Sequence, residues 1–187
     1  MPTAREALLD AACTSLAARS WTAVRMVDVA AAAGVSRQTL YNEFGSKEGL
    51  ARALVRREAD GFLAGVDRVL ADRTGSDADR LAGVAEWIVR AARASVLVRA
   101  LVTDCWSDRL PSGRPARGPA AGAAGAAQRR ADAGAPGAAE LVEAVRVRVA
   151  AAGAGTPTAC EAAVRVAVSW VVAPGPGGVG EVVRGLL

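Results

Sequence analysis

Apolar residues recur at intervals of three and four positions through most of the chain, which is the period of an amphipathic α-helix. In the first such segment, residues 4–19, one face collects Ala7, Leu8, Ala11, Ala12 and Leu16. The same spacing predicts further helices at residues 26–33, 36–44, 47–72, 77–93, 95–107, 138–152 and 157–173, with a short one from Val179. We therefore expect an all-α protein.

Between residues 111 and 137 this pattern gives way to Pro, Gly and Ala with several Arg. Residues 116–133 have the composition of a weak helix, but the glycines among them argue against a stable one. The sequence leaves open whether residues 111–137 are helical or disordered.

Two short predicted helices, residues 26–33 and 36–44, are separated by Gly34. Glycine readily adopts the left-handed backbone of a tight turn, and Ser36 is a preferred residue for capping the helix that follows. Two short helices joined by a Gly-containing turn are the layout of a helix-turn-helix. The sequence thus predicts a helix-turn-helix in the first quarter of the chain.

The second helix of this pair has one apolar and one polar face. Leu40 and Phe44 lie close together in angle and are expected to face inward, which turns the polar side chains outward. These are Arg37, Gln38, Thr39, Tyr41 and Asn42. Gln and Asn side chains pair with adenine and Arg pairs with guanine, while Thr and Tyr hydroxyls bond phosphate oxygens. This face therefore suits a DNA groove.

Lys47 stands in the first turn of the next predicted helix, where a cation opposes the helix dipole. The position is favourable if the helix start faces a phosphate, because the main-chain N–H groups and the ammonium then hold it together. The alternative is a solvated surface lysine. Next to a helix-turn-helix, we expect the phosphate contact.

Residues 28–50, DVAAAAGVSRQTLYNEFGSKEGL, resemble the DNA-binding signature of TetR-type regulators. The matching positions, at the family's spacing, are Asp28–Ala30, Ala33–Ser36, Thr39–Tyr41, Phe44 and Ser46–Glu48. The resemblance implies base or phosphate contacts from Arg37, Gln38, Thr39 and Asn42, and phosphate contacts from Tyr41 and Lys47. Arg25 departs from the family, which often has Ser or Thr as the cap there.

The resemblance also implies an architecture. A three-helix helix-turn-helix domain, residues 1–50, would be joined by a long fourth helix to a helical ligand-binding and dimerisation domain, residues 51–187. The implied function is that of a ligand-responsive repressor, which binds a pseudo-palindromic double-stranded DNA operator as a homodimer and responds to a small-molecule effector. The sequence does not identify the operator or the effector, and it does not distinguish a repressor from an activator.

Family resemblance assigns the dimer contact to the last two long helices, residues 138–152 and 157–173. Their apolar residues at helical spacing are Leu141, Val145, Val149, Val164, Val168 and Val171. The alternative for these positions is ordinary internal core. The ligand pocket is expected among the middle helices, with Trp87, Cys105, Trp106 and Trp170 as candidates; core packing is the alternative for each Trp, and an inert buried thiol for Cys105.

Composition limits the other function classes. Apolar residues make up 52% of the chain and aromatic ones only 4%, so Ala, Val and Leu must build the core, and the formal charge of +4 mildly favours an anionic partner. The chain has no His and three widely spaced cysteines, so neither a Cys/His zinc site nor His-dependent catalysis is expected. We expect no metal, no cofactor and no enzymatic activity.

The sequence argues against two other functions. A helical enzyme would leave the pattern of residues 22–50 unexplained, and no phosphate loop or nucleophile elbow is present. A helical small-molecule-binding or scaffolding protein without DNA binding is the alternative, against which Tyr41 and Lys47 argue.

The sequence also bears on location. Residues 1–9 lack the apolar core of a signal peptide. Residues 164–173 include Arg165 and are about half the roughly 20 residues that span a bilayer. A cytoplasmic protein with no membrane association is expected.

Overall fold

The computed structural model describes residues 3–111 and 136–187, and within these ranges the regular structure is entirely helical. The helices are α1 (Ala4–Ala18), α2 (Met26–Ala32), α3 (Arg37–Phe44), α4 (Lys47–Ala71), α5 (Asp77–Ala94), α6 (Val96–Thr103), α7 (Ala138–Ala151), α8 (Pro157–Val172) and α9 (Val179–Leu186), with a 3₁₀ turn at Trp21–Ala23. The all-α prediction is confirmed. The weak helix considered at residues 116–133 lies outside the described residues.

Hydroxyl side chains cap many of these helices. Each of six accepts a hydrogen bond of 3.0–3.3 Å from the main-chain N–H three residues later: Thr3, Ser36, Ser46, Ser76, Ser95 and Thr156. Such a bond satisfies one of the N–H groups that a helix start leaves without a partner, and its loss costs about 1 kcal/mol. These caps explain why local sequence defines the helix starts well.

The end of α6 was predicted wrongly. The helical pattern extends to residue 107, but α6 ends at Thr103 because Asp104 adopts a left-handed backbone with φ of +54°. Asp is among the few residues other than Gly that tolerate this conformation, which terminates a helix.

The described residues form two compact units. Among the described residues, the first unit contains residues 3–57 and 106–111, and the second contains Glu58–Cys105 and Pro136–Leu187. Helix α4 contributes to both, and the predicted domain boundary after residue 50 falls within α4 as well.

The core of the first unit is aliphatic with two aromatic rings. Its buried side chains include Leu8, Ala12, Trp21, Val29, Leu40, Phe44, Leu50 and Leu54. Burying a side chain of leucine size contributes about 1.5–3 kcal/mol. These contacts hold α2 and α3 against α1, and so fix the orientation of α3.

Helix α5 is the centre of the second unit, where it packs against α6, α8 and α9. Its buried face includes Leu81, Val84, Ala85, Ile88 and Ala92. The facing side of α8 presents Ala163 and Ala167, whose small side chains allow close approach of the helices.

Most of the apolar residues assigned to the dimer contact are buried within a single chain. Leu141, Val145, Val149, Val164 and Val171 are each at most 6% exposed, and Val168 is half-buried. Their burial favours the alternative of internal core. The exposed apolar side chains on these helices are instead Val147, 57% exposed, and Val172, 60% exposed.

Candidate nucleic-acid interface

The turn between α2 and α3 depends on Gly34 and Ser36. Gly34 adopts φ of +67°, and the N–H of Val35 donates to the carbonyl oxygen of Ala30 at 3.1 Å. Ser36 then caps α3 by accepting a 3.0 Å hydrogen bond from the N–H of Thr39. The helix-turn-helix geometry follows from these two local choices.

Helix α3 has one buried and one exposed face. Leu40 is fully buried and Phe44 is 6% exposed, as the pattern predicted. On the opposite face Arg37, Gln38 and Asn42 are exposed. The helix therefore presents a polar surface of guanidinium and amide groups to the solvent.

The two amides on this face are joined to each other. The Nε2 of Gln38 donates a 2.8 Å hydrogen bond to the Oδ1 of Asn42, one turn along α3. Gln38 keeps its second N–H and its acceptor oxygen, and Asn42 keeps both N–H groups and further acceptor capacity. The pair thus holds both side chains in place while leaving groups free to bond base edges.

The remaining polar side chains of α3 are held more closely to the protein. The guanidinium of Arg37 lies 5.4 Å from the centre of the half-buried Tyr41 ring. The hydroxyl of Thr39 is 2.8 Å from that of Ser36 and half-buried. Tyr41 and Thr39 therefore lie at the edge of the polar face rather than at its centre.

Lys47 lies at the start of α4. Its Nζ donates a 3.2 Å hydrogen bond to the carbonyl oxygen of Thr22 and is 5.5 Å from the centre of the Trp21 ring. The ammonium is thereby held beside the first turn of α4, whose cap is Ser46. Nothing in the local sequence pattern points to this contact between Trp21 and Lys47.

Glu48 offsets the unfavourable position of the Lys47 charge. A hydrogen bond from its own main chain and another from the Ser46 side chain lower the pKa of the Glu48 carboxyl below its ordinary value. The group is consequently an anion at neutral pH, and an anion at a helix start is favourable.

Two other arginines form ion pairs within the first unit. The guanidinium of Arg25 forms a bidentate ion pair with the carboxylate of Asp28, with N···O distances of 3.0 and 2.9 Å. This ion pair raises the pKa of Arg25. Arg5 lies 4.7 Å from the Phe44 ring and 3.5 Å from the carboxylate of Glu43. Arg5 connects α1 to the end of α3, a supporting role that a separation of 38 residues in sequence conceals.

The four candidate pocket residues are spread over both units. Trp106 belongs to the first unit and is 38% exposed, whereas Trp87, Cys105 and Trp170 belong to the second. Trp87 and Trp170 are half-buried, and the exposed thiol of Cys105 contacts the carbonyl oxygen of Thr103 at 3.5 Å. Their assignment to a ligand pocket stays a prediction.

A cavity of about 120 Å³ lies between α7 and the start of α8. None of the four candidates lines it; its walls include Arg146, Val149, Thr156 and Cys160. Burial raises the pKa of the Cys160 thiol, which is therefore neutral at physiological pH.

The described residues contain no cluster of metal-ligating side chains and no membrane-spanning helix. Within residues 3–111 and 136–187, no three His, Cys, Asp or Glu side chains are grouped as metal ligands. In those ranges no helix combines the length and the apolar character that crossing a bilayer requires.

Known proteins resemble part of this chain by sequence. Residues 8–54 match the family model described as "Bacterial regulatory proteins, tetR family". The HTH-type transcriptional regulator AlkX of Mycobacterium tuberculosis is 46% identical over 72 residues, which are 38% of this chain and 34% of that protein. The chain thus matches about a third of the length of this curated relative.

The solved structures that resemble the chain cover nearly all of it. A tetR-family regulator from Streptomyces coelicolor has a TM-score of 0.58 and 20% identity, covering 100% of this chain and 78% of that one. FadR from Bacillus subtilis, in complex with stearoyl-CoA, has a TM-score of 0.54 and 14% identity, covering 96% and 95%. The TetR-family repressor AlkX from Dietzia has a TM-score of 0.50 and 22% identity, covering 97% and 90%. At these identities the likeness concerns the fold.

Proposed function

We propose that this chain, which belongs to the tetR family of bacterial regulatory proteins, is a ligand-responsive transcriptional regulator that binds a pseudo-palindromic operator as a homodimer. The observation that carries the proposal is the polar face of α3, where Arg37, Gln38 and Asn42 are exposed while Leu40 and Phe44 are buried. A helix with such a face fits the major groove of DNA.

The proposed contacts follow from the side-chain chemistry. Gln38 and Asn42 reach base edges, and Arg37 reaches a base or a phosphate. The hydroxyls of Thr39 and Tyr41 bond phosphate oxygens and fix the position of α3 along the duplex. The base contacts read the DNA sequence and the phosphate contacts position the protein, and the same small domain supplies both.

Lys47 binds a phosphate together with the first N–H groups of α4. An ammonium carries three donors, and the carbonyl of Thr22 occupies one of them. The remaining donors are available to a phosphate without any loss of the contact that holds the side chain. The start of α4 is in this way prepared for an anion before DNA arrives.

One recognition helix contacts too few base pairs for specificity, so two copies must place their α3 helices roughly 34–36 Å apart. A second copy requires a surface, and the exposed Val147 of α7 and Val172 of α8 support one there. These two exposed valines, one on each helix, favour dimerisation through α7 and α8.

The regulatory part of the proposal concerns a small-molecule effector. An effector that binds one conformation of the dimer better shifts the population toward it, and binding to the operator changes accordingly. Binding of stearoyl-CoA is a property of the Bacillus subtilis FadR complex; for this chain we propose an effector without naming it. We further propose that the protein is not an enzyme and that it acts in the cytoplasm, where its operator lies.

Selection of bound duplexes from a random DNA pool tests this function. The wild type is compared with Gln38→Ala/Asn42→Ala and with Ala64→Ser, a control substitution at an exposed position of α4. We expect the wild type and the control to enrich the same two-fold symmetric site and the double variant to enrich none, with equal thermal melting curves.

Two results would contradict the proposal in different ways. Enrichment of the same site by the double variant would remove α3 as the reading element. A wild type that enriches no sequence at low salt would overturn the regulator function and favour a helical protein that binds ligands or partners without DNA.

A further inference from the structure

Trp87 is held firmly between α4 and α5 in the second unit. Its indole Nε1–H donates a 3.0 Å hydrogen bond to the carbonyl oxygen of Phe62. The ring lies directly against Gly65 of α4, where a Cβ atom would collide with it. These two contacts fix the position of the half-buried ring, and the ring explains why residue 65 is a glycine.

Two arginine side chains lie against this one ring. The guanidinium carbon of Arg68 is 5.8 Å from the ring centre and that of Arg90 is 5.3 Å from it. Both arginines are exposed, one from α4 and one from α5. Because the ring carries a negative π-face, it attracts both cations, and it brings two like charges to one place.

The acidic residues closest in sequence to Arg68 and Arg90 form ion pairs with other arginines. Asp67, next to Arg68, pairs with Arg148 at 3.1 Å. Glu86, next to Trp87, pairs with Arg184 at 3.7 Å. Among the described residues, neither Arg68 nor Arg90 forms an ion pair, and the ring is their shared contact.

The two positive charges beside the Trp87 ring have no negative partner among the described residues. Two guanidinium groups repel each other, and each carries five N–H donors in a planar fork that matches the oxygens of a carboxylate or phosphate. An oxyanion within reach of both groups would offset their positive charges and accept charge-assisted hydrogen bonds from them. No side chain of the described residues supplies that oxyanion.

We propose that Arg68, Trp87 and Arg90 form a binding site for the carboxylate or phosphate group of a small molecule. This site rests on the proposed function and deepens it, because it would hold an anionic group of the small-molecule effector. Its occupation requires neither an operator nor a second copy of the chain, so its test can fail while DNA binding stands. The fixed indole positions the two guanidinium groups, and the anion bridges them. Trp87 was a pocket candidate from the sequence, but neither arginine was.

The test uses the full chain and two probes, inorganic phosphate and dodecanoate, which separate a free phosphate from a carboxylate with an apolar tail. Binding is followed by the NMR signal of the Trp87 indole N–H, assigned by its loss in Trp87→Phe. We expect a saturable shift of this signal with at least one probe, and the probe that binds more tightly identifies the source of the anion.

The decisive variant is Arg68→Gln/Arg90→Gln, and the matched control is Arg99→Gln, an exposed arginine of α6 in the same unit. We expect affinity to fall about tenfold or more in the double variant and to stay unchanged in the control. Because both arginines are exposed, the double variant should fold normally, which its melting curve checks. Absence of a saturable shift with both probes, or equal affinity in the double variant, would overturn the site.

Discussion

The Nζ of Lys47 donates a 3.2 Å hydrogen bond to the main-chain carbonyl oxygen of Thr22, 25 residues earlier in the chain. A lysine side chain otherwise loses considerable rotamer freedom when it binds a phosphate. In this protein part of that freedom is already removed before binding. The contact therefore favours a phosphate-binding role for Lys47 over that of a solvated surface lysine.

This leads to a prediction for Lys47→Gln. Removal of one phosphate-binding cation should weaken DNA binding about equally for all sequences and reduce the dependence of log K on log salt concentration by about one. Fluorescence anisotropy on the selected site and on a scrambled duplex, at several salt concentrations, measures both effects. Lys47→Arg keeps the charge and should retain most of the slope; an unchanged slope in Lys47→Gln would exclude a phosphate contact.

The hydrogen bond between Gln38 and Asn42 predicts that the two residues act as a unit in base recognition. Gln38→Ala, Asn42→Ala and the double variant form a cycle, and residues in direct contact typically show a coupling of about 0.5–3 kcal/mol. We expect the second substitution to cost less than the first when binding to the selected operator is measured. Additive losses would mean that the amides read their bases independently.

The helix-turn-helix could be predicted from the sequence because its determinants are local. Gly34 with its positive φ, the Ser36 cap and the inward pair Leu40 and Phe44 all lie within eleven residues. Each is a choice of backbone or of helix face that adjacent residues decide.

The contacts of the same site could not be predicted in this way. The carbonyl of Thr22 and the ring of Trp21 reach Lys47 only through the tertiary fold, and Arg5 reaches Glu43 across 38 residues. Helical periodicity identifies a buried face, but it does not tell which neighbour buries that face. For this reason Leu141 and Val145 fitted a dimer contact and internal core equally well.

Asp79 makes stability depend on pH in the second unit. Hydrogen bonds from the Ser76 hydroxyl and N–H, and one from Arg184, lower the pKa of the exposed Asp79 carboxyl below its ordinary value of 3.8. A carboxyl with a lowered pKa in the folded state contributes stability above its unfolded pKa, and this is lost as pH falls through the folded value.

We therefore expect Asp79→Asn to melt at a lower temperature than the wild type at neutral pH, and the difference to narrow below pH 3.8. Circular dichroism melting curves at a series of pH values measure this. Asp60→Asn, which replaces an exposed carboxyl of α4, is the control and should show little difference at any pH. A constant difference between Asp79→Asn and the wild type down to strongly acidic pH would mean that the charge of Asp79 does not matter.

The cysteines give a prediction that separates an accessible thiol from an inert one. Cys105 is exposed, whereas Cys160 is 1% exposed and burial raises the pKa of its thiol. Because the thiolate is the reactive form, Cys160 should react slowly with iodoacetamide at neutral pH and Cys105 rapidly. Mass spectrometry over time should show that Cys105→Ser abolishes the fast phase and that Cys160→Ser leaves it intact. A fast phase that survives in Cys105→Ser would show that Cys13 or Cys160 also reacts rapidly, and slow modification of Cys105 in the wild type would contradict its exposure. An effector that protects Cys105 from the reagent in the wild type would support its place at the ligand site.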